Sequence, residues 1–358
     1  MSSESVYIAE MASIMPKRYC STHVSDRMYS TANFGPAVNK MAKRFAARMG
    51  VPLRSAVIDL DLFEQDGQNE LANLEDHPKT WGKSVVEQLT TRIPKKNIGY
   101  FNLSYNISYH QDTLPNLASQ IVMDSDLTEV ERADELSHYG CAASIFSLDQ
   151  AVQFCKETGK PAIVFTFDQC TVAHQKIEPN DSDFRRMMVS NLLFNDAGVG
   201  LLLVPESMRE AFQRPLLRIR DIQTGYQSGN LIGMTQGRFL MNDGVKDVMP
   251  KLASTALIRP FLEKNGLNTN SVHQWSIHQG GTEVLKQFAN ADVLGLSDQQ
   301  LERSLELFHQ YGNTSAASCL LVLKSFFDDP EPLNGDRTGM LVGFGAGYYF
   351  GAMLYDRQ

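Results

Sequence analysis

Strand-like apolar runs alternate with helical patterns along nearly the whole chain, and this alternation is what most limits the folds open to it. VYIAEM (6–11) and SAVIDLDLF (55–63) are candidate strands, WGKSVVEQLTTR (81–92) reads as a helix with Val85, Val86 and Leu89 on one face, and NIGYFNLSYNIS (97–108) reads as a buried strand. A turn at 113–116 and a helix over 117–123 follow. A second helix begins near Cys141, carries Ile145, Leu148, Val152 and Phe154 at mostly helical spacing, and is stopped by Gly159. PAIVFTFDQC (161–170) and GVGLLLV (198–204) are further buried strands, while 66–78 is polar enough for a surface loop. LLRIRDIQTGY (216–226) opens a second series: helical residues over 242–265, a strand at 272–279, helices at 297–309 and 314–327, and closing strands at 340–344 and 348–354. Two comparable strand-and-helix series predict an α/β protein of layered sheets, divided near residue 210 into 1–210 and 211–358.

Composition narrows the function. Hydrophobic residues make up 43% and charged residues 21%, the balance of an ordinary globular chain. The net charge is −8 with cations dispersed among the acids, which argues against a nucleic-acid partner. Five cysteines, Cys20, Cys141, Cys155, Cys170 and Cys319, are odd in number and form no CxxC pair. They predict a reduced, cytoplasmic protein with at least one thiol free for chemistry. MSSESVYIAEM lacks the pattern of a secretory signal. GMLVGFGAGYYFGAMLY (339–355) is uncharged but short and broken by glycines, so it reads as strand, tight turn and strand, and no membrane association is expected. No cluster of histidines, cysteines or carboxylates has metal-ligand spacing, so no metal is expected.

Four short stretches carry chemistry. Cys141 lies in HYGCAAS ahead of a helix, where backbone N–H groups and the helix dipole favour a thiolate; a small residue packed at a helix start is the alternative. His278 ends the strand WSIHQGG, so its imidazole can enter a cleft at a fixed height, although loop histidines are often inert. Asn313, in YGNTSAAS, is a good N-cap, yet its carboxamide can also donate two hydrogen bonds to an enolate or oxyanion. Finally, GFGAG (343–347) is dense enough in glycine for backbone amides at Gly345, Ala346 and Gly347 to approach a ligand, but it has no following helix and is not a dinucleotide fingerprint.

Taken together, GCAAS (140–144), LFNDAGVGLLL (193–203), WSIHQGG (275–281), YGNTSAAS (311–318) and GDRTGMLVGFGAG (335–347) resemble the thiolase superfamily, and within it the ketoacyl-synthase III and type III polyketide synthase branch. The HQGG loop stands between the HQAN of the former and the HPGG of the latter. The resemblance implies a five-layered αβαβα thiolase fold of two duplicated halves, usually a homodimer. It further implies that Cys141 carries an acyl group while His278 and Asn313 assist a Claisen condensation, decarboxylative with a malonyl-type extender. CoA or acyl-carrier-protein thioesters would be the substrates and partners, with no tightly bound cofactor.

The matching stretches also contain departures. Where carrier-dependent members present a docking arginine this chain has Glu283, which leaves CoA thioesters, or other cations such as Lys286, Arg185 and Arg186, to serve delivery. His138, Tyr139 and Tyr348 are unusual beside the matched motifs and suggest a specialised substrate pocket. Rival readings are an acyltransferase of the same fold that passes the acyl group to an amine or alcohol, a non-decarboxylative joining of two acyl thioesters, and a silent partner subunit of a heteromeric synthase. A papain-like protease shares the order Cys, His, Asn, but the CGSCW-type signature is missing and Cys141 lies far from the amino terminus.

Overall fold

The computed structural model describes residues 4–61, 70–109, 114–174, 180–235, 238–242, 244–329 and 337–358. Thirteen strands run β1 (Val6–Ile14), β2 (Arg18–Cys20), β3 (Leu53–Ser55), β4 (Tyr100–Tyr105), β5 (Arg132–Ser137), β6 (Ala162–Asp168), β7 (Ala197–Pro205), β8 (Leu217–Tyr226), β9 (Ile232–Thr235), β10 (Arg238–Met241), β11 (Gln274–Ile277), β12 (Arg337–Gly345) and β13 (Tyr349–Arg357). Eleven helices join them: α1 (Ser21–Met28), α2 (Thr31–Met49), α3 (Pro78–Leu89), α4 (Leu117–Asp124), α5 (Ala143–Thr158), α6 (Phe184–Leu193), α7 (Val245–Ala253), α8 (Arg259–Lys264), α9 (Thr282–Gln287), α10 (Asp298–Tyr311) and α11 (Ser318–Phe327).

Nine of the strands form one sheet in the order β11-β12-β13-β8-β1-β7-β6-β4-β5. Starting from β1, the first part runs antiparallel to β7, antiparallel again to β6, then parallel to β4 and β5. Starting from β8, the second part repeats this order of directions through β13, β12 and β11. β1 and β8 pair antiparallel where the two parts meet.

The sheet wraps around two largely buried helices. α5 packs against β4 and β6 and also against β8 and β13, while α11 packs against β11 and β12 and against β1. Ile145, Leu148 and Val152 of α5 share one buried cluster with Leu320 and Leu323 of α11 and with residues from both parts of the sheet. Their burial, worth about 1.5–3 kcal/mol per large side chain, explains why these helices lack a wide polar face. Outside, α3 covers β1 and β7, α4 covers β4 and β5, and α7 and α10 cover β12 and β11. Helix, sheet, helix, sheet, helix is therefore the layer order.

Glycine serves this packing more than the sequence suggested. Gly343 and Gly351 face one another across β12 and β13. A β-carbon on Gly351 would lie 2.7 Å from that of Ile145, and one on Gly343 would lie 3.0 Å from Ile145 Cδ1. Both positions admit α5.

Several sequence expectations shift. Of the strand expected over 55–63, residues 62 and 63 lie outside the described residues; among 55–61 only Ser55 belongs to β3, and Ile58 makes a lone bridge to Leu71. Alternation there is interrupted because Arg54 turns inward to donate to the Asn191 carbonyl and Val57 N–H donates to Asp196. The expected loop over 66–78 begins outside the described residues; from Glu70 onward it includes a short 3-10 turn, Leu74–Asp76. Thr113 of the expected turn also lies outside them, whereas Asn116 caps α4 through the Ser119 N–H. The helix expected from Cys141 begins as a 3-10 turn, Gly140–Ala142, and becomes α-helical at Ala143.

Among the described residues, no helix is long and apolar enough to cross a membrane.

Candidate active site

The strand β5 ends at Ser137, and the chain turns sharply before α5. His138 and Gly140 both adopt left-handed backbone conformations there, with φ of 67° and 59°. Glycine accepts that conformation readily, and at Gly140 a side chain has no room either, since a β-carbon would sit 2.6 Å from the Ala346 amide nitrogen. The reverse approach is closer still: a β-carbon on Gly345 would lie 2.3 Å from the Cys141 amide nitrogen. The turn after β12 is thus pressed against the turn that carries the cysteine.

Cys141, His278 and Asn313 all line one cavity of about 260 Å³, together with Gly140, Ser315 and Ala346. They are 8%, 3% and 2% exposed, respectively. Cys141 Sγ lies 3.6 Å from Ser315 Oγ, so the first and second parts of the chain meet at the sulfur. Burial pushes the Cys141 thiol up to about 12. The thiolate expected from the helix dipole is therefore outweighed, because loss of solvation penalises the anion more than the helix terminus supports it.

His278 follows β11, and its backbone N–H donates to the Val342 carbonyl at 2.8 Å, which fixes the residue against β12. Its ring meets Phe344 edge-on, with centroids 5.3 Å apart. Burial pulls its pKa down to about 3, so the imidazole is neutral at working pH and offers one N–H. Asn313 is oriented by its own turn: Oδ1 accepts from the Ser315 N–H at 2.9 Å and from Ser318 Oγ at 3.3 Å. With the oxygen held on that side, the NH₂ end faces the other way.

Asp168 at the end of β6, with Asn106 and Ser315, forms a support that no sequence motif marks. Asp168 Oδ1 accepts the N–H groups of Asn106 and Ile107, and Oδ2 accepts Asn106 Nδ2 and the Ala316 N–H at 3.0 and 3.1 Å. Asn106 Nδ2 also donates to the Gly140 carbonyl at 3.0 Å. Burial pushes the Asp168 carboxyl above its ordinary value, against the pull of three backbone N–H groups. One carboxylate therefore ties the cysteine turn to the asparagine turn.

The remaining expected site residues divide. Ala346 lines the cavity, whereas Gly345 packs on the cysteine backbone and Gly347 supplies a left-handed turn with φ of 71°. His138 lines the cavity. Tyr139 does not; its ring packs on Phe146 and Tyr349 with centroids 5.0 and 4.9 Å apart. Tyr348 also stays off the cavity wall, its ring lying over Gly229, where a β-carbon would meet it at 1.9 Å. Tyr139 is therefore aromatic packing, and Tyr348 packs on the glycine and on the apolar cluster of the second part. The suggested docking cations have local partners: Lys286 is 3.8 Å from Glu283, Arg186 is 2.9 Å from Asp183, and Arg185 lies over Phe45. Among the described residues, no group of three or more histidines, cysteines or carboxylates could hold a metal ion.

Known proteins resemble this chain in sequence and in fold. The family model for the 3-oxoacyl-[acyl-carrier-protein (ACP)] synthase III C terminal matches residues 262–357. A 3-ketoacyl-CoA synthase 12 of Arabidopsis thaliana is 23% identical over 94% of this chain and 81% of its own length. An alpha-pyrone synthesis polyketide synthase-like Pks18 of Mycobacterium tuberculosis is 22% identical over 68% of this chain, and the match spans 61% of that relative. The crystal structure of PKS-I from the brown alga Ectocarpus siliculosus superposes with a TM-score of 0.82 at 17% identity, covering all of both chains. The chain is thus similar in sequence to condensing enzymes, ketoacyl synthases and polyketide synthases among them, and it shares the fold of a polyketide synthase.

Proposed function

We propose that Cys141 takes an acyl group from a CoA or carrier-protein thioester and that His278 and Asn313 then promote decarboxylative condensation with a malonyl-type thioester, in polyketide or fatty-acid-like metabolism. The observation that carries this reading is the shared cavity, which a sulfur, a neutral imidazole and a pinned carboxamide all line. In the first step the Cys141 sulfur adds to the acyl carbonyl, whose oxyanion is stabilised by the backbone N–H groups of Cys141 and Ala346, and the proton it gives up ends on the donor sulfur, which departs as a thiol. In the second, the His278 N–H and Asn313 Nδ2 donate to the thioester oxygen of the extender while it loses CO₂. The enolate attacks the Cys141 acyl carbon and releases the sulfur.

A neutral donor suits this role better than a cation, because it stabilises the enolate without first protonating it. The partnered surface cations and Glu283 support CoA delivery over docking of an acidic carrier protein. Residues 1–210 and 211–358 are read as duplicated halves on the strength of the repeated strand order. Homodimeric assembly and a cytoplasmic location complete the proposal.

Intact-protein mass spectrometry after incubation with acyl-CoA, and then with malonyl-CoA, tests the sequence of steps. An acyl mass on wild type, absent from Cys141→Ala and discharged with CO₂ release, is expected. Discharge to an amine or alcohol without a malonyl donor would overturn condensation.

A further inference from the structure

Away from the three reacting side chains, the cavity is walled by carbon and sulfur. β9 and β10 form a hairpin in which Ile232 pairs with Met241 and Met234 with Phe239. Alternation along a strand puts residues two apart on one face, and all four of these residues line the cavity. Val245 and Met249, four residues apart on α7, line it from another side. Phe194 closes the wall behind the hairpin, its ring edge-on to Phe239 with centroids 4.6 Å apart. The polar side chains that also touch the wall are engaged elsewhere: Ser190 Oγ donates to the Arg186 carbonyl and Asn191 Nδ2 to Tyr29 Oη. His174 is held neutral, burial pulling its pKa to about 3. His138 and Asn106 line the cavity too, but the hairpin, α7 and Phe194 present only apolar side chains to it.

Resting on the reading that Cys141 is acylated, we propose that its acyl group is a saturated, unbranched, medium-length chain and that the hairpin face sets its limit. Size carries the argument. A dry apolar cavity of about 150 Å³ accepts benzene, so on that scale the volume here has room for roughly ten carbon atoms. Part of that room adjoins the reacting groups and holds the first carbons of the chain, so an acyl chain of roughly six to ten carbons spans the cavity. Three methionines, Met234, Met241 and Met249, supply unbranched, adaptable surface that suits a flexible chain more than a rigid ring. Each methylene seated against such a wall should improve donor affinity about fourfold until the wall is reached. Phe239 is the largest hairpin side chain in the wall, and Ala173 is its smallest apolar residue, so the two can be changed in opposite directions.

The test measures Cys141 loading from a series of saturated acyl-CoA donors, from acetyl to palmitoyl, with benzoyl-CoA as the rigid comparison, using full-length protein and intact mass. Wild type should load fastest in the six-to-ten-carbon range, with acetyl, palmitoyl and benzoyl donors at least tenfold slower. Phe239→Ala should move the optimum to longer donors and Ala173→Leu to shorter ones. Met241→Ala is a milder enlargement, should Phe239→Ala not fold. An optimum at acetyl, palmitoyl or benzoyl, or an optimum unmoved by both enlarging and filling the wall, overturns the inference. If no donor places an acyl mass on Cys141, the acyl-enzyme reading itself fails; if loading occurs at another length, only the chain-length inference does.

Discussion

Asp168→Asn is the most incisive perturbation of the support beneath the site. The substitution preserves shape and leaves one carbonyl oxygen, which can keep the backbone N–H groups of Asn106 and Ile107. Its new NH₂ then meets two further donors, Asn106 Nδ2 and the Ala316 N–H. Two hydrogen bonds to a carboxylate are lost, each worth about 1.5–3 kcal/mol, so roughly 3–6 kcal/mol of stability is expected to disappear. Native proteins of ordinary stability hold about 5–15 kcal/mol, so the variant should fold but unfold at distinctly lower urea. The broken ties are those that reach the Gly140 and Ala316 turns, so function should change unevenly. Acylation of Cys141 needs only its own turn, whereas condensation also needs Asn313 in register with it. The measurement is therefore a pair of rates, acyl loading and malonyl-dependent discharge, beside a urea titration. Discharge should fall at least tenfold more than loading. An unfolding free energy within about 1 kcal/mol of wild type, together with an unchanged ratio of the two rates, would refute the assignment of Asp168 as the tie.

Two further outcomes follow from the same geometry. Gly140→Ala should lose most condensing activity, because the left-handed backbone and the contact with the Ala346 amide both oppose a β-carbon; wild-type turnover would show that the two turns are not in close contact. His278 and His174 are both neutral in the folded chain down to about 3, whereas the unfolded chain takes up protons from about 6.5. Their contribution to stability is thus complete above about 6.5 and is lost as pH falls toward 3, at up to about 1.4 kcal/mol per pH unit for each histidine. His278→Gln should shed close to one histidine's share of that slope in urea titrations between pH 6 and 4, and an unaltered slope would contradict burial of a neutral ring.

Much of this was legible in the residues. Buried strands such as 162–168 and 197–205 announce themselves because a strand covered on both faces needs apolar residues at every position, and α5 and α10 because their stops and caps are local chemistry. Cys141, His278 and Asn313 were found because each stands in a short stretch of distinctive neighbours. Local pattern also misled where the partner was remote: SAVIDLDLF has strand composition, but Arg54 and Val57 bond to residues nearly 140 positions away. What the amino-acid sequence indicated alone was therefore the order of elements and the candidate site residues, since these depend on neighbours along the chain. Only the tertiary structure decided that Cys141 is a buried thiol, that Tyr139 and Tyr348 pack away from the cavity, and that Asp168 joins two distant turns. Solvation and hydrogen-bond partners are set by segments that meet only after folding, and no local pattern encodes them.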